Sequence, residues 1–432
     1  MLGLRHLPLK YRLPLIHGAL NLLGRAKARG WQKATGEGLS KGPLVVSAFF
    51  NETTGVARGG RLSANALRAA GYDLIEHDIR PCFRQYVSEG AELPGKGGVW
   101  YIHANAPEVL VALMAHDPAQ WADRYRIAYW AWETPKAPRD WIRIADYLHE
   151  IWVPSRFVYD ALVATFNDAL RADLIPRLRV MPHPVPLPPP ARHALSRARF
   201  GLSDELCEVL CLFDTKSSSA RKNPWGVLIA WQEAFPEENP VARLTVKVSD
   251  LSDDRATERR LLAIAAKRSD IRIMDQRLSE ADMEAYIGAF DILVSLHRAE
   301  GFGLTLAEAM AAGVAVIATD WSGNIDFMTP ENSRLIQSSL IPISDPEGGY
   351  SMVRREPMQV WADPHIFEAV TDLRQLTDQP GLRRALGEAG VQAIRDLHAP
   401  WRRDELTDLP FNAFVGTTNG HETKFGAANK HE

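Results

Sequence analysis

Six of the nine residues from 182 to 190 are proline (Pro182, Pro184, Pro186, Pro188, Pro189 and Pro190). Each proline lacks a backbone donor and has a fixed φ, so the stretch belongs to neither a helix nor an inner strand. It reads as an extended connector that divides the 432 residues into two parts, each long enough to bury its own core. On both sides short apolar runs alternate with stretches of helical composition. Before the connector, strands are predicted at 44–50, 72–79, 99–102, 127–132 and 150–153. Helices are predicted over 61–70, from about 108, and over 156–166 with Ser155 as cap. After it, strands fall at 208–213, 243–248, 271–274, 292–295 and 314–319. Helices cover 224–234, a stretch ending near 267, 279–289 and 304–312. Such alternation builds a parallel sheet covered on both faces. The expected architecture is α/β, two Rossmann-like doubly wound domains facing across a cleft. The boundaries predicted are an N-terminal extension over 1–40, a first domain over 41–190, a second over 191–400, and a tail over 401–432, rich in Gly, Asn, Thr and Lys beyond about Phe411.

Charge narrows the partners. Fifty Lys and Arg against 53 Asp and Glu leave a net charge of −3, and no global positive field exists to hold nucleic acid by counterion release. With 46% hydrophobic and 24% charged residues, the chain is neither disordered nor a coiled coil. The charge is uneven, however. Residues 1–36 hold seven cations (Arg5, Lys10, Arg12, Arg25, Lys27, Arg29 and Lys33) and no acid, interleaved with leucines, Ile16 and Trp31. That composition suits contact with an anionic membrane surface, and equally a solvated or locally packed extension. The cations interrupt the apolar stretch and no small-residue cleavage site follows, which makes a poor secretory signal. No apolar run reaches the roughly 18 residues of a spanning helix. Three cysteines, Cys82, Cys207 and Cys211, allow neither a disulfide framework nor a four-cysteine zinc site. Reduced thiols and a cytoplasmic location, peripheral at the inner face of the membrane, are therefore expected.

The most informative stretch runs from Leu296 to Met310. It places Glu300 in a loop at the carboxyl end of a strand, then Gly301-Phe302-Gly303, then a helix from Leu304 that carries Glu308. Open α/β sheets bind ligands at that end of their strands. Glycines let the chain approach a ligand, and a helix N-terminus offers N–H groups to phosphate oxygens. A loop carboxylate accepts from sugar hydroxyls, and one a turn into the helix accepts from a ribose diol. Taken singly, Glu300 reads equally as a helix-end residue and Glu308 as a surface residue. A second cluster, Phe213 to Pro224, puts Lys216, Arg221 and Lys222 in a Ser-rich turn that opens a helix. Cations there neutralise charge developing on a departing diphosphate. No group of Asp, His or Cys suggests a catalytic metal, so neither metal nor cofactor is expected.

These residues carry a resemblance. Glu300 and Glu308, in Glu-Gly-Phe-Gly through Glu-Ala-Met-Ala-Ala-Gly, and the continuation to Trp321-Ser322-Gly323-Asn324, are similar to the two-glutamate motif of retaining glycosyltransferases of family 4. The resemblance is close over about 205–400 and looser over 44–180. It implies the GT-B architecture, a nucleoside-diphosphate sugar donor, a sugar or lipid-linked acceptor, and transfer of a hexose without metal. It implies that Glu300 contacts the donor sugar and Glu308 the ribose, and that Gly55 lies in a loop under the phosphates, with Gly59 and Gly60 opening the next helix. The family's basic pair best matches Lys216 and Lys222. The family's usual first arginine is absent from position 216, and Arg221 is the available guanidinium. Many members carry a histidine where this chain has Trp132-Glu133, which makes Glu133 a candidate for acceptor binding or acid/base help. His103, after the third strand, is read either as facing the cleft to contact sugar or as a structural residue. The tryptophans between 100 and 152 suit sugar stacking and core packing equally. The Gly-x-Gly-x-x-Gly fingerprint of nicotinamide enzymes is absent. Epimerases and phosphorylases share the architecture, although no pyridoxal lysine site is identifiable. A non-catalytic sugar- or nucleotide-binding subunit is the alternative outside enzymes.

Overall fold

The computed structural model describes residues 9–85, 92–188, 197–345, 348–350 and 359–416. In the first domain β1 (Leu44–Ala48), β2 (Leu74–Asp78), β3 (Val99–Ile102), β4 (Tyr125–Tyr129), β5 (Glu150–Val153) and β6 (Leu178–Val180) form a parallel sheet in the order β2-β1-β3-β4-β5-β6. Alternate side chains enter two separate core layers. Val45, Trp100, Ile102, Ala128 and Ile151 lie on one face, and Leu44, Val46, Val99, Tyr101, Ile127 and Trp152 on the other. β1, β3, β4 and β5 are buried along their whole length, and β3 reads in the sequence as an unbroken apolar run, whereas Ser47, Arg126 and Glu150 stand in the others.

The second domain repeats the scheme. β7 (Cys207–Asp214), β8 (Ala242–Ser249), β9 (Ile271–Asp275), β10 (Ile292–Ser295), β11 (Ala315–Thr319) and β12 (Arg334–Ile336) are parallel in the order β12-β11-β10-β7-β8-β9. An antiparallel pair, β13 (Ser338–Pro342) and β14 (Val360–Pro364), adds to it. In each domain the strand order reverses once, between β1 and β3 and between β7 and β10. Loops leaving the two strands on either side of a reversal diverge and open a crevice.

Several boundaries differ from expectation. Within the N-terminal extension, α1 (Leu9–Lys27) packs on the first domain, as the locally packed alternative has it. Its Gly24 packs so closely on α4 (Ala106–Ala115) that a Cβ there would lie 2.9 Å from Leu110 Cδ2, and Asn21 Nδ2 donates to Asp140 Oδ2 at 2.6 Å. Arg5 and Lys10 carry no description of their side chains. α2 begins at Gly55 rather than Arg61 and runs to Ala69, with Thr54 Oγ1 accepting from Ala57 N. Gly59 and Gly60 therefore lie inside it. They are required by packing, because a Cβ on Gly59 would meet His183 Cε1 at 2.6 Å and one on Gly60 would meet Ala48 Cβ at 2.6 Å. Ser155 caps α6 (Arg156–Asp168) as expected.

The chain crosses between domains twice, through the proline segment and again near 398. From Trp401 to residue 416, the stretch expected to be a tail returns to the first domain. Trp401, Leu406 and Phe411 are buried in its core, and Gly42 bridges Val415. Residues 417–432 lie outside the described part. The Trp401 indole packs edge-on against Trp152 and donates Nε1–H to Pro182 O at 2.6 Å, so it ties together the two crossings. Trp401→Ala is expected to destabilise the first domain by about 3–5 kcal/mol, the usual cost of deleting a buried large aromatic. A fall in the urea midpoint of its unfolding checks this, and an unchanged midpoint refutes the docked tail.

Candidate active site

Adjacent loops leave β7 and β10, and backbone and side-chain bonds lock them together. Arg298 N donates to Arg221 O at 2.7 Å, and Asn223 Nδ2 donates to Leu296 O at 2.8 Å. Arg221 Nη1 donates to Ala299 O at 2.7 Å and lies 3.2 Å from Glu300 Oε2. Lys222 Nζ lies 2.5 Å from Glu300 Oε1. Burial alone would push the Glu300 carboxyl up. Lys222 and Arg221 outweigh it and hold the group at about 2, so Glu300 is a permanent anion at neutral pH. Its backbone is fixed as well. Glu300 N donates to Ser322 Oγ at 2.8 Å, and Gly323 N donates to Glu300 O at 2.9 Å. A Cβ on Gly323 would lie 2.3 Å from Gly301 O. Below, Thr319 Oγ1 donates to His297 O at 2.6 Å, and the buried His297 ring has Asn324 Oδ1 3.0 Å from Nε2. Gly303, at φ +94°, turns the chain into the helix Leu304–Ala311.

The first domain reaches this cluster directly. A Cβ on Gly301 would lie 3.0 Å from Trp132 O, and Ser155 Oγ donates to Gly301 O at 2.6 Å. Tyr350 OH donates to Glu133 Oε2 at 2.8 Å. A cavity of about 560 Å³ opens here, bounded among others by Leu13 and Leu20 of α1, Trp132, Glu133, Arg221 and Tyr350. Its size suits a small organic ligand. Nearby, Arg58 of α2 spans the cleft. Its Nη1 lies 2.7 Å from Glu280 Oε2, its Nη2 pairs with Glu284, and its Nε lies 3.2 Å from Glu308 Oε1. Burial raises the Glu308 carboxyl to about 7, against the pull of Arg58.

Glu300, Gly301, Gly303, Arg221, Lys222, Trp132 and Glu133 thus converge. Others sit differently. His103 does not open into the cleft. It is buried, with Nδ1 3.0 Å from Tyr101 OH and its ring stacked on Tyr129 at 4.2 Å. Burial lowers its pKa well below the ordinary value. Phe302 is buried between His183 and Phe327, and Leu304 is half-buried. Gly55 faces open space at the start of α2. Glu308 is occupied by Arg58 rather than exposed. The Lys216 side chain lies outside the described residues. Sequence reasoning missed Arg58, Ser155 as a contact to Gly301, and Tyr350. The signal available for Arg58 was a cation one turn into the helix that follows β1.

Residues 228–351 match the family model described as Glycosyl transferases group 1. No curated protein matches the sequence. Among solved structures, a glycosyltransferase from Rickettsia africae is similar at 14% identity and TM-score 0.55, covering 86% of this chain and 96% of that one. Anabaena HepE, solved in complex with UDP-glucose, is similar at 12% identity and TM-score 0.52, covering 85% and 100%. The α,α-trehalose 6-phosphate synthase of Burkholderia multivorans aligns at 11% identity and TM-score 0.52, covering 84% and 78%. The fold is the GT-B architecture of glycosyltransferases, and its second domain carries the group 1 match.

Glu300 makes a pH prediction. Its folded pKa of about 2 lies below the ordinary 4.5, so its stabilising effect is full above 4.5 and is lost as pH falls toward 2. The loss is on the order of 3 kcal/mol. In Glu300→Gln the gap in unfolding free energy from wild type should narrow by that amount across the same window. Urea titrations at stepped pH check it, and a gap constant with pH refutes the pairing.

Proposed function

We propose that the protein is a retaining glycosyltransferase that moves a hexose from a nucleoside-diphosphate sugar to an acceptor hydroxyl, in the synthesis of a cell-surface polysaccharide or glycolipid. The observation that carries this reading is Glu300, held anionic by Lys222 and Arg221 beside the glycine turn at the carboxyl end of β10. Ammonium and guanidinium groups have donors to spare after binding one carboxylate. In this reading the spare donors, with Lys216 and the free N–H groups after Gly303, take the diphosphate and stabilise charge on the leaving group. No metal is needed for that step. Glu300 accepts from hydroxyls of the transferred sugar, and Glu308 from the ribose diol. The departing phosphate accepts the proton of the acceptor hydroxyl, which attacks from the same face, so the anomeric configuration is retained. Trp132 and Glu133 border the acceptor side of the cavity. His103 keeps only a packing role.

The HepE complex is described with UDP-glucose, which makes UDP the first nucleotide to try. Melting temperatures would be compared with UDP, GDP, ADP, dTDP and CMP, for wild type and Glu308→Ala. A ligand at 100 times its Kd stabilises the folded state by about 2.7 kcal/mol. One diphosphate is expected to raise the wild-type melting temperature and to do so less in the variant. No shift with any of the five rejects the donor site. Turnover with the stabilising donor, followed by NMR of the anomeric proton, tests retention.

We also propose that α1 lies on an anionic membrane surface. Its buried side faces α4 and the cavity, while Tyr11, Leu15, Ile16, Leu22 and Leu23 are exposed. Tyr11, Leu15 and Leu22 share one helical stripe, and Arg12, Arg25 and Lys27 lie on the same helix. Among the described residues no helix is long and apolar enough to cross a membrane. The double variant Leu15→Glu, Leu22→Glu should lose most binding to phosphatidylserine vesicles in a flotation assay without a change in melting temperature. Undiminished flotation removes the membrane surface from the reading.

A further inference from the structure

Away from the cleft, one group of side chains has the geometry of a metal site. His77 lies on β2, the edge strand of the first sheet. Cys82 opens α3 (Cys82–Gln85), and His116 follows α4. One ring nitrogen of each histidine and Cys82 Sγ all lie within 4.8 Å of one another. The bonds of four-coordinate zinc, about 2.0–2.1 Å to nitrogen and 2.3 Å to sulfur, place ligand atoms about 3.3–3.7 Å apart. The separations exceed those of a closed site by at most about 1.5 Å.

The hydrogen bonds around the group favour a ligand set over ordinary core packing. The Nδ1 of His116 lies 2.7 Å from Ala112 O. A carbonyl only accepts, so Nδ1 carries the proton and Nε2 keeps its lone pair. That Nε2 is buried without a hydrogen-bond partner, in a residue only 2% exposed. Leaving such an atom unpaired in a core costs free energy that a bound cation would recover. His77 Nδ1 lies 2.8 Å from Ser47 Oγ, which also accepts from Trp100 Nε1 at 2.8 Å. A histidine ligand characteristically gives its second ring N–H to such an oxygen, which fixes its orientation. The Cys82 thiol is buried in the same core layer as Val45 and Trp100.

We propose that His77, Cys82 and His116 bind one zinc ion that ties the edge strand of the first sheet to α3 and α4. Two imidazoles and a thiolate form a borderline-soft set, which selects zinc over magnesium or calcium. Binding forms one Zn–S and two Zn–N bonds, and the Cys82 thiol releases its proton to solvent. The thiolate cancels one of the two positive charges. Arg124 acts electrostatically on both imidazoles, and Asp78 opposes it at His77. Three protein ligands leave a fourth position for water. This site is separate from the donor chemistry proposed above, whose cations do the work of a metal, so either reading can fail alone.

Cobalt(II) reports the site directly. Full-length protein stripped with a chelator is titrated with CoCl₂. One equivalent is expected to produce a thiolate-to-cobalt charge-transfer band in the near ultraviolet and four-coordinate bands in the visible, and one equivalent of ZnCl₂ should abolish both. Cys82→Ser should lose the charge-transfer band, while Cys211→Ser, in the second domain, should keep it. Ser47→Ala should weaken zinc binding about 10–100-fold in competition with a colorimetric chelator, the usual effect of removing a supporting acceptor. The wild-type titration decides even where a variant fails to fold. No saturable cobalt spectrum, or a charge-transfer band that persists in Cys82→Ser, overturns the proposal.

Discussion

One guanidinium of the first domain gathers three carboxylates of the second. Arg58 is the meeting point of Glu280, Glu284 and Glu308, all from the second domain. Three carboxylates facing one another in a half-buried cleft repel unless a countercharge sits among them, and breaking such a cluster from one side is costly. Arg61 shares the load by pairing with Glu280 while donating to Phe50 O at 2.7 Å. The placement of α2 follows from this. To bring Arg58 to its partners, the helix must lie almost on the sheet, and Gly59 and Gly60 are the residues that make room over His183, His103 and Ala48. Electrostatics across the cleft and missing side chains beneath it are one arrangement.

The two glutamates of the motif illustrate how environment divides identical groups. Glu300 has the Lys222 ammonium and the Arg221 guanidinium within 3.2 Å of its oxygens and is held down at about 2. Among the described residues Glu308 pairs with Arg58, which it shares with two other carboxylates, and burial lifts it to about 7. Spacing along the chain places both near the same helix N-terminus, yet one is a fixed negative charge and the other titrates near neutrality. The difference arises from the loop after β7, which delivers Arg221 and Lys222 to Glu300 because β7 and β10 are neighbours in the sheet. The topological reversal is thus what converts a sequence motif into a charged site.

The sequence made strands legible where both faces are buried by apolar side chains, as in Val99–Ile102, which has no polar residue. The loop from Leu296 to Gly303 was legible for the same reason, lying between such a strand and a well-formed helix. What escaped depends on contacts distant in sequence. Gly59 and Gly60 look like helix openers until His183, more than a hundred positions away, is seen beneath them. Trp401 and Phe411 look like the edge of a polar tail, but their partners Trp152 and Tyr72 belong to the first domain. The hairpin β13–β14 is half-exposed along most of its length, and its weak alternation resembles a loop. Arg58 was passed over because its three partners come from two helices of the other domain.

Under the donor chemistry proposed above, a ribose bound to Glu308 would meet the contact that Arg58 makes between the domains. Arg58 Nε engages one oxygen of Glu308, and a ribose hydroxyl on that same oxygen would have to displace it. Arg58 does not become an unpaired charge when it yields, because Glu280 and Glu284 remain with its other two nitrogens. Exchange therefore costs one bond of three rather than the whole cluster. A ligand shifts such an equilibrium only by its differential affinity for the two states. In the proposed chemistry a ribose that displaced Arg58 Nε would favour the state without that contact, whereas phosphates on Arg221 and Lys222 would not reach Glu308 through it.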